Sequence, residues 1–221
     1  MTTAVFAGAF TGAEVLVVGG TSGIGAAVAR AFRACGAAVT ATGATAAEVE
    51  TAHRAGALHG VALSVLDVTD GDAVDSFIGR WQGLDAVVNC AGILRRGDAE
   101  LDPVVFAAVL DVNLTGTMRV CMAARPKLAA RRGAIVNTAS MLSFFGSRYV
   151  PAYSASKGGV AQLTKSLAIA FAAEGVRVNA VAPGWIATPL TAALREDRER
   201  SAAIVARTPL GRWGEPEDVS G

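Results

Sequence analysis

The chain has 221 residues, enough for one well-buried domain and short for two. Twenty basic against nineteen acidic side chains leave a net charge of +1, which gives no electrostatic footprint for nucleic acid or an anionic membrane, so no partner of either kind is expected. The hydrophobic fraction is 52% and the mean hydropathy +0.42, yet no run of about 18 apolar residues reads as a membrane span, and the surplus is assigned to core or interface. The N-terminus has no basic residue ahead of its apolar stretch and does not read as a secretory signal; a cytoplasmic location is the default expectation. Cys35, Cys90 and Cys121 are odd in number and widely spaced, which predicts buried free thiols and no metal site.

In chain order, short β-rich runs alternate with longer helical patterns. Strands are expected at Glu14–Val18, Ala37–Thr42, Gly60–Leu66, Leu84–Val88, Ala134–Thr138 and Val176–Val181. Helices are expected at Ile24–Cys35, Ala46–Ala55, Gly71–Trp81, Asp102–Arg125 and Pro151–Ala173. This alternation predicts an α/β fold: one Rossmann-type domain in three layers, with a doubly wound parallel sheet between helices. No repeat or linker divides the series.

Between the first strand and first helix lies Gly19-Gly20-Thr21-Ser22-Gly23-Ile24-Gly25. Bare backbone at a strand-to-helix turn lets a diphosphate reach the N–H groups and the positive end of the helix dipole. A tight packing turn would also use such glycines, so the loop alone is weak evidence. Further features fall at later strand ends, which share one sheet edge in this architecture: Asp67-Val68, Asn89-Cys90-Ala91-Gly92, Ser140 and Tyr153-Ser154-Ala155-Ser156-Lys157. Tyr153 and Lys157 are four apart at a helix start, so both point at one small volume. A phenol has a reference pKa of about 10 and needs a nearby positive charge to exchange protons near neutrality, which Lys157 is placed to supply.

With these ordered motifs, the sequence resembles the classical short-chain dehydrogenase/reductase family from about Val15 to Asp218. The resemblance implies an oxidoreductase interconverting a secondary alcohol and a ketone with NAD or NADP, and a catalytic set of Asn113, Ser140, Tyr153 and Lys157. It implies that Asn113 holds a water linking Lys157 to solvent. On the cofactor side it implies Gly19, Thr21, Ser22, Gly23, Ile24 and Gly25 at the diphosphate, Gly43 and Ala44 at the ribose end, and Asp67 and Val68 at the adenine. Asn89, Ala91 and Gly92 would line the ribose, with Tyr153, Lys157, Pro183, Gly184, Ile186 and Thr188 toward the nicotinamide. A homodimer or homotetramer is the family habit.

Three departures stand out. Val18 replaces the threonine usual before the first glycine. The second strand ends Thr42-Gly43-Ala44-Thr45, with neither the acid that would favour NAD nor the arginine that would favour NADP; the loop also lacks Arg and Lys, a slight lean to NAD. The family normally continues past Asp218 with a helix and a last strand, whereas the sequence stops at Gly221. The mixed charges of Arg195-Glu196-Asp197-Arg198-Glu199-Arg200 read as a solvated helix face. The rival readings are a catalytically silent nucleotide-binding or scaffold protein and an obligate subunit, neither of which requires the full catalytic set.

Overall fold

Four consecutive apolar residues, Val15 to Val18, cannot present a polar face, so the strand they form has to be covered on both sides. In the computed structural model, which describes residues 6–220, this strand, β1 (Glu14–Val18), lies inside the sheet with those side chains at most 1% exposed. It is joined by β2 (Ala38–Gly43), β3 (Ala62–Val65), β4 (Ala86–Asn89), β5 (Ala134–Thr138) and β6 (Arg177–Val181). The order is β3-β2-β1-β4-β5-β6, all parallel. The chain therefore winds outward from β1 in one direction and from β4 in the other. The crevice between them opens beyond the carboxyl ends of these two strands.

Alternation along β1 divides the core between two layers. Leu16 and Val18 pack with Val74, Ile78, Cys121, Leu167 and Phe171, drawn from α3 (Gly71–Gly79), α5 (Gly116–Ala129) and α6 (Pro151–Phe171). Val15 and Val17 pack on the other face with Val28 and Ala29 of α1 (Gly23–Ala34) and Ala52 of α2 (Ala46–Ala55). Each expected strand and helix is present, with ends displaced by a few residues.

The long helix expected from Asp102 to Arg125 differs most. It runs as α4 (Pro103–Leu110), a π-helical turn at Asp111–Thr115 and then α5, continuing beyond Pro126 to Ala129. Over its most apolar stretch, Pro103–Ala129 has a mean hydropathy of 1.5 and meets the length and composition of a membrane span, which corrects the reading that no such run exists. Its fully buried Val120, Cys121, Ala124 and Leu128 belong to the core under the sheet.

The charged run from Arg195 forms two short helices, α7 (Ala192–Glu196) and α8 (Arg198–Ala206), separated by Asp197, whose carboxylate accepts from Arg200 N at 3.1 Å and caps α8. The chain then returns to pair Ile186 with Gly214, and Arg30 of α1 meets Glu217 of α9 (Glu217–Ser220) at 2.6 Å. At one sheet edge, Arg177, Asn179 and Ala180 of β6 are exposed.

Candidate active site

The glycine loop is bare for reasons that geometry makes specific. Gly19 has φ +73°, and a Cβ there would lie 2.4 Å from Ala91 N; a Cβ on Gly25 would lie 2.2 Å from Gly19 O. These two glycines let β1, α1 and the β4 exit approach one another. Gly23 has φ +51°, and its Cβ would meet the Thr188 side chain at 3.1 Å, so the loop and the Ile186–Thr188 segment face each other across a narrow cleft. The hydroxyl lost at Val18 is replaced from β2, where buried Thr42 accepts from Gly19 N at 3.4 Å through Oγ1.

At the end of β2, Gly43 is packed against Thr21, leaving Ala44 exposed. Sequence reading found no acid there, but Glu48 supplies one from the first turn of α2. Its Oε2 accepts from Ala44 N at 2.8 Å, while Thr45 Oγ1 accepts from Glu48 N at 3.2 Å. The T-x-x-E spacing at this helix start is visible in the sequence; what it does not show is that the carboxylate bonds Ala44 N, one residue before the N-cap, and so returns to the strand end.

The β3 exit divides its two candidates. Asp67 is exposed and binds Thr69, whereas Val68 turns inward against Gly116. The β4 exit divides likewise. Ala91 and Gly92 border the cleft, but the Asn89 side chain does not reach it: Asn89 is 4% exposed, and its Nδ2 donates to Asn137 Oδ1 at 2.9 Å, tying β4 to β5. Its Oδ1 is buried without a partner. An asparagine at the last position of a central strand points into the layer that its neighbour avoids, and this removes Asn89 from the expected ribose contacts.

The four expected catalytic residues converge. Ser140, past β5, caps the turn Met141–Ser143 by accepting from Leu142 N at 3.1 Å. Pro151 opens α6, and Tyr153 and Lys157 follow on one face. Lys157, 4% exposed, donates from Nζ to Thr138 O at 2.6 Å, and that nitrogen lies 5.7 Å from the Tyr153 ring centroid. Burial lowers the Lys157 pKa to about 8, so the ammonium persists at neutral pH and is lost not far above it. Burial pushes the Tyr153 phenol above its ordinary value, opposed by a hydrogen bond with Ser140. The Glu100 carboxylate adds to the rise, so without nucleotide or substrate the phenol is held protonated by its surroundings.

Asn113 is fully buried in the π-helical turn. Its Oδ1 accepts from Ile93 N at 2.8 Å, and its Nδ2 donates to Ile93 O and to Ser156 Oγ. With the amide so engaged, Asn113 can offer a water only its main-chain carbonyl, which also accepts from Thr117 Oγ1 at 2.8 Å. Gly159 of α6 packs on Leu114, which lies within 2.7 Å of where a Cβ would sit, and this close approach offsets the glycine's cost to the helix. Sequence reading also missed Glu100. This carboxylate is 1% exposed, accepts from Arg95 N at 2.7 Å and, through its other oxygen, from Tyr153 N at 2.9 Å at the start of α6.

Ser140, Tyr153 and Gly184 open onto one cavity of about 850 Å³, walled by apolar groups such as Met141, Phe145 and Trp185. Pro183 O accepts from Met141 N at 3.1 Å, and Ala187 N donates to Gly214 O at 2.7 Å, which fixes the segment between cavity and glycine cleft.

The family model described as enoyl-(acyl carrier protein) reductase matches residues 18–221. A 2-dehydro-3-deoxy-D-gluconate 5-dehydrogenase of Pseudoalteromonas atlantica is 45% identical over 161 residues, 70% of this chain and 63% of that enzyme. A cis-4-hydroxycyclohexanecarboxylate dehydrogenase of Sinomonas cyclohexanicum is 41% identical over 222 residues, covering 96% of this chain and 88% of the relative. A crystal structure from Agrobacterium tumefaciens, provisionally named a 2-deoxy-D-gluconate 3-dehydrogenase and solved with NADP, superposes with a TM-score of 0.84 at 40% identity, covering 98% of this chain and 88% of that one. Motif order, sheet winding and these likenesses agree along almost the whole length, and the chain belongs to the classical short-chain dehydrogenase/reductase family.

Proposed function

We propose that the protein interconverts a secondary alcohol and a ketone with NAD(P)(H), using Tyr153 as the proton-transfer group. The observation that carries this reading is that Tyr153 and Ser140 line one cavity while buried Lys157 stands behind the phenol, its Nζ 5.7 Å from the Tyr153 ring centroid. Bare backbone at Gly23 and Gly92 supports a dinucleotide here, since Cβ atoms at these positions would stand 3.1 Å from Thr188 and 3.3 Å from Asn113. Gly19 to Gly25 would hold the diphosphate, and Gly184, Ile186 and Thr188 the nicotinamide end. The nicotinamide ring supplies the hydride or accepts it.

The chain's own residues do the rest. Ser140 orients the carbonyl oxygen, and the Tyr153 O–H gives it a proton in reduction. Lys157, charged below its pKa of about 8, stabilises the phenolate that remains. A water on the Asn113 carbonyl returns the proton from solvent. Glu48 supports NAD(H) over NADP(H), because a carboxylate at the end of β2 accepts from a ribose 2′-hydroxyl and repels a 2′-phosphate.

A panel of alcohols and ketones with each nucleotide, followed by absorbance of the reduced nicotinamide, tests the activity. Tyr153→Phe keeps the ring and deletes the proton, so kcat is expected to fall by roughly 10²–10⁴ with nucleotide affinity little changed. Turnover near that of the unmodified protein would rule out this mechanism.

A further inference from the structure

The cavity above Tyr153 has a charge pattern that proton and hydride transfer do not require. Three arginines line it: Arg96, from the loop after β4; Arg200, in α8; and Arg207, just past the end of α8. No acidic residue lines it, and none of the three lies within 4.0 Å of a carboxylate among the described residues. The nearest acid in the fold's design, Glu100, spends its two oxygens on the Arg95 and Tyr153 amides. Each guanidinium is instead held by neutral groups. Arg96 donates to Leu190 O at 2.9 Å, Arg200 lies 4.9 Å from the centre of the Tyr149 ring, and Arg207 lies 5.5 Å from that of Trp185.

Such packing holds three positive charges at the cavity with no carboxylate in contact; Glu100 acts on Arg96 only through space and does not offset burial and Arg200. Arg96 is driven below its ordinary pKa by burial first and by Arg200 second, so the two charges repel across the cavity. A neutral polyol would leave this repulsion in place. A carboxylate would relieve it and bind in the planar, two-pronged manner that guanidinium favours.

Building on the hydride-transfer reading above, we propose that the natural substrate is an oxo or hydroxy acid: its carbinol carbon at Tyr153 and Ser140, its carboxylate at Arg96, Arg200 and Arg207. The site thereby takes an anionic ketone–alcohol pair with an apolar middle, which lies along Phe145 and Trp185.

The test uses matched probes with the full chain saturated with nucleotide: 4-oxocyclohexanecarboxylate, its carboxamide, and the phosphate monoester of 4-hydroxycyclohexanone. Calorimetry should show the acid binding roughly 30-fold tighter than the amide, the size of a charge-assisted hydrogen-bonded pair. The margin should shrink as salt is raised and collapse in Arg96→Gln and Arg200→Gln. Arg148→Gln is the control, since Arg148 stacks on Tyr149 without lining the cavity and should keep the ratio. Equal binding of acid and amide, binding of neither, or an equal loss in the Arg148 variant overturns the proposal. Tighter binding of the phosphate monoester than of the acid also overturns it, in favour of a phosphorylated substrate. Acid-selective binding with no hydride transfer to any ketone or from any alcohol would sink the oxidoreductase reading alone; turnover of acid and amide at equal efficiency would sink this one alone.

Discussion

Lys157 carries a cost that can be read as a function of pH. Its folded pKa of about 8 lies below the ordinary lysine value of 10.5, so between these the unfolded chain binds more protons than the native one. Stability must therefore rise with pH across that window, and the penalty is fully established as pH falls through about 8. Burial raises the Cys90 and Cys121 thiols, whose contribution falls over the same range, so the lysine is read as a difference: from about pH 7.5 to pH 10.5 the nucleotide-free protein should gain on the order of 3 kcal/mol relative to Lys157→Met in denaturant titration. A flat difference would mean that the ammonium is solvated in the native state. Glu48 makes a second prediction at this scale. Glu48→Gln keeps the acceptor for Ala44 N but removes the charge, so it should weaken the preference for NAD over NADP by about 1–2 kcal/mol without changing kcat for a given nucleotide. Unchanged nucleotide affinities in this variant would show that Glu48 only caps α2. The residue that sequence reading placed at the ribose and the structure removed, Asn89, shares with Glu48 one lesson. Strand parity decides which polar groups face the cleft, and a one-residue error at a strand end reverses it.

Elements were more legible than their ends. The inner strands could be read because parallel strands buried on both faces appear as short apolar runs; the edge strands β3 and β6, largely exposed, were placed by the regular alternation with helices. The long helix from Asp102 hid its π-helical turn, since a change of hydrogen-bond partner from the fourth to the fifth residue leaves no compositional trace. It bonds Gly116 N to Asp111 O and delivers Asn113 to Ile93. The run from Arg195 illustrates the opposite failure. Its mixed charges do describe an exposed helix, but Arg200 reaches the cavity as well, because that face is determined by how α8 returns over the site and not by its sequence period. The candidate pair Tyr153 and Lys157 was legible because its spacing is local, whereas the cavity walls come from loops distant in sequence.

For the molecule as a whole, exposed apolar groups lie along α4, α5 and α6, a surface that a second copy could cover. Leu101 precedes α4, Val104 lies in it, Met122 lies in α5 and Ile169 in α6; Val104 is 77% and Ile169 81% exposed. Covering these side chains by two-fold association would remove about 1.5–3 kcal/mol of unfavourable exposure for each one fully buried. Light scattering at micromolar concentration should report a dimer or tetramer, and Ile169→Asp should shift it toward monomer. A monomer in the unmodified protein would refute the assembly.

Glu100 joins the two ends of the cavity through a single buried carboxylate, with one oxygen on the amide beside Arg96 and the other on the amide of Tyr153. It works as a caliper. The separation between the charge reader and the proton donor is set by a rigid side chain and not by a flexible loop, so the enzyme should gauge substrate length as well as charge. Across oxo acids that differ by single methylenes, kcat/KM is expected to peak at one length, and Glu100→Gln, which loosens one jaw, should broaden that peak more than it lowers it. A response that rises or falls steadily with chain length would show that nothing in the cavity is measuring.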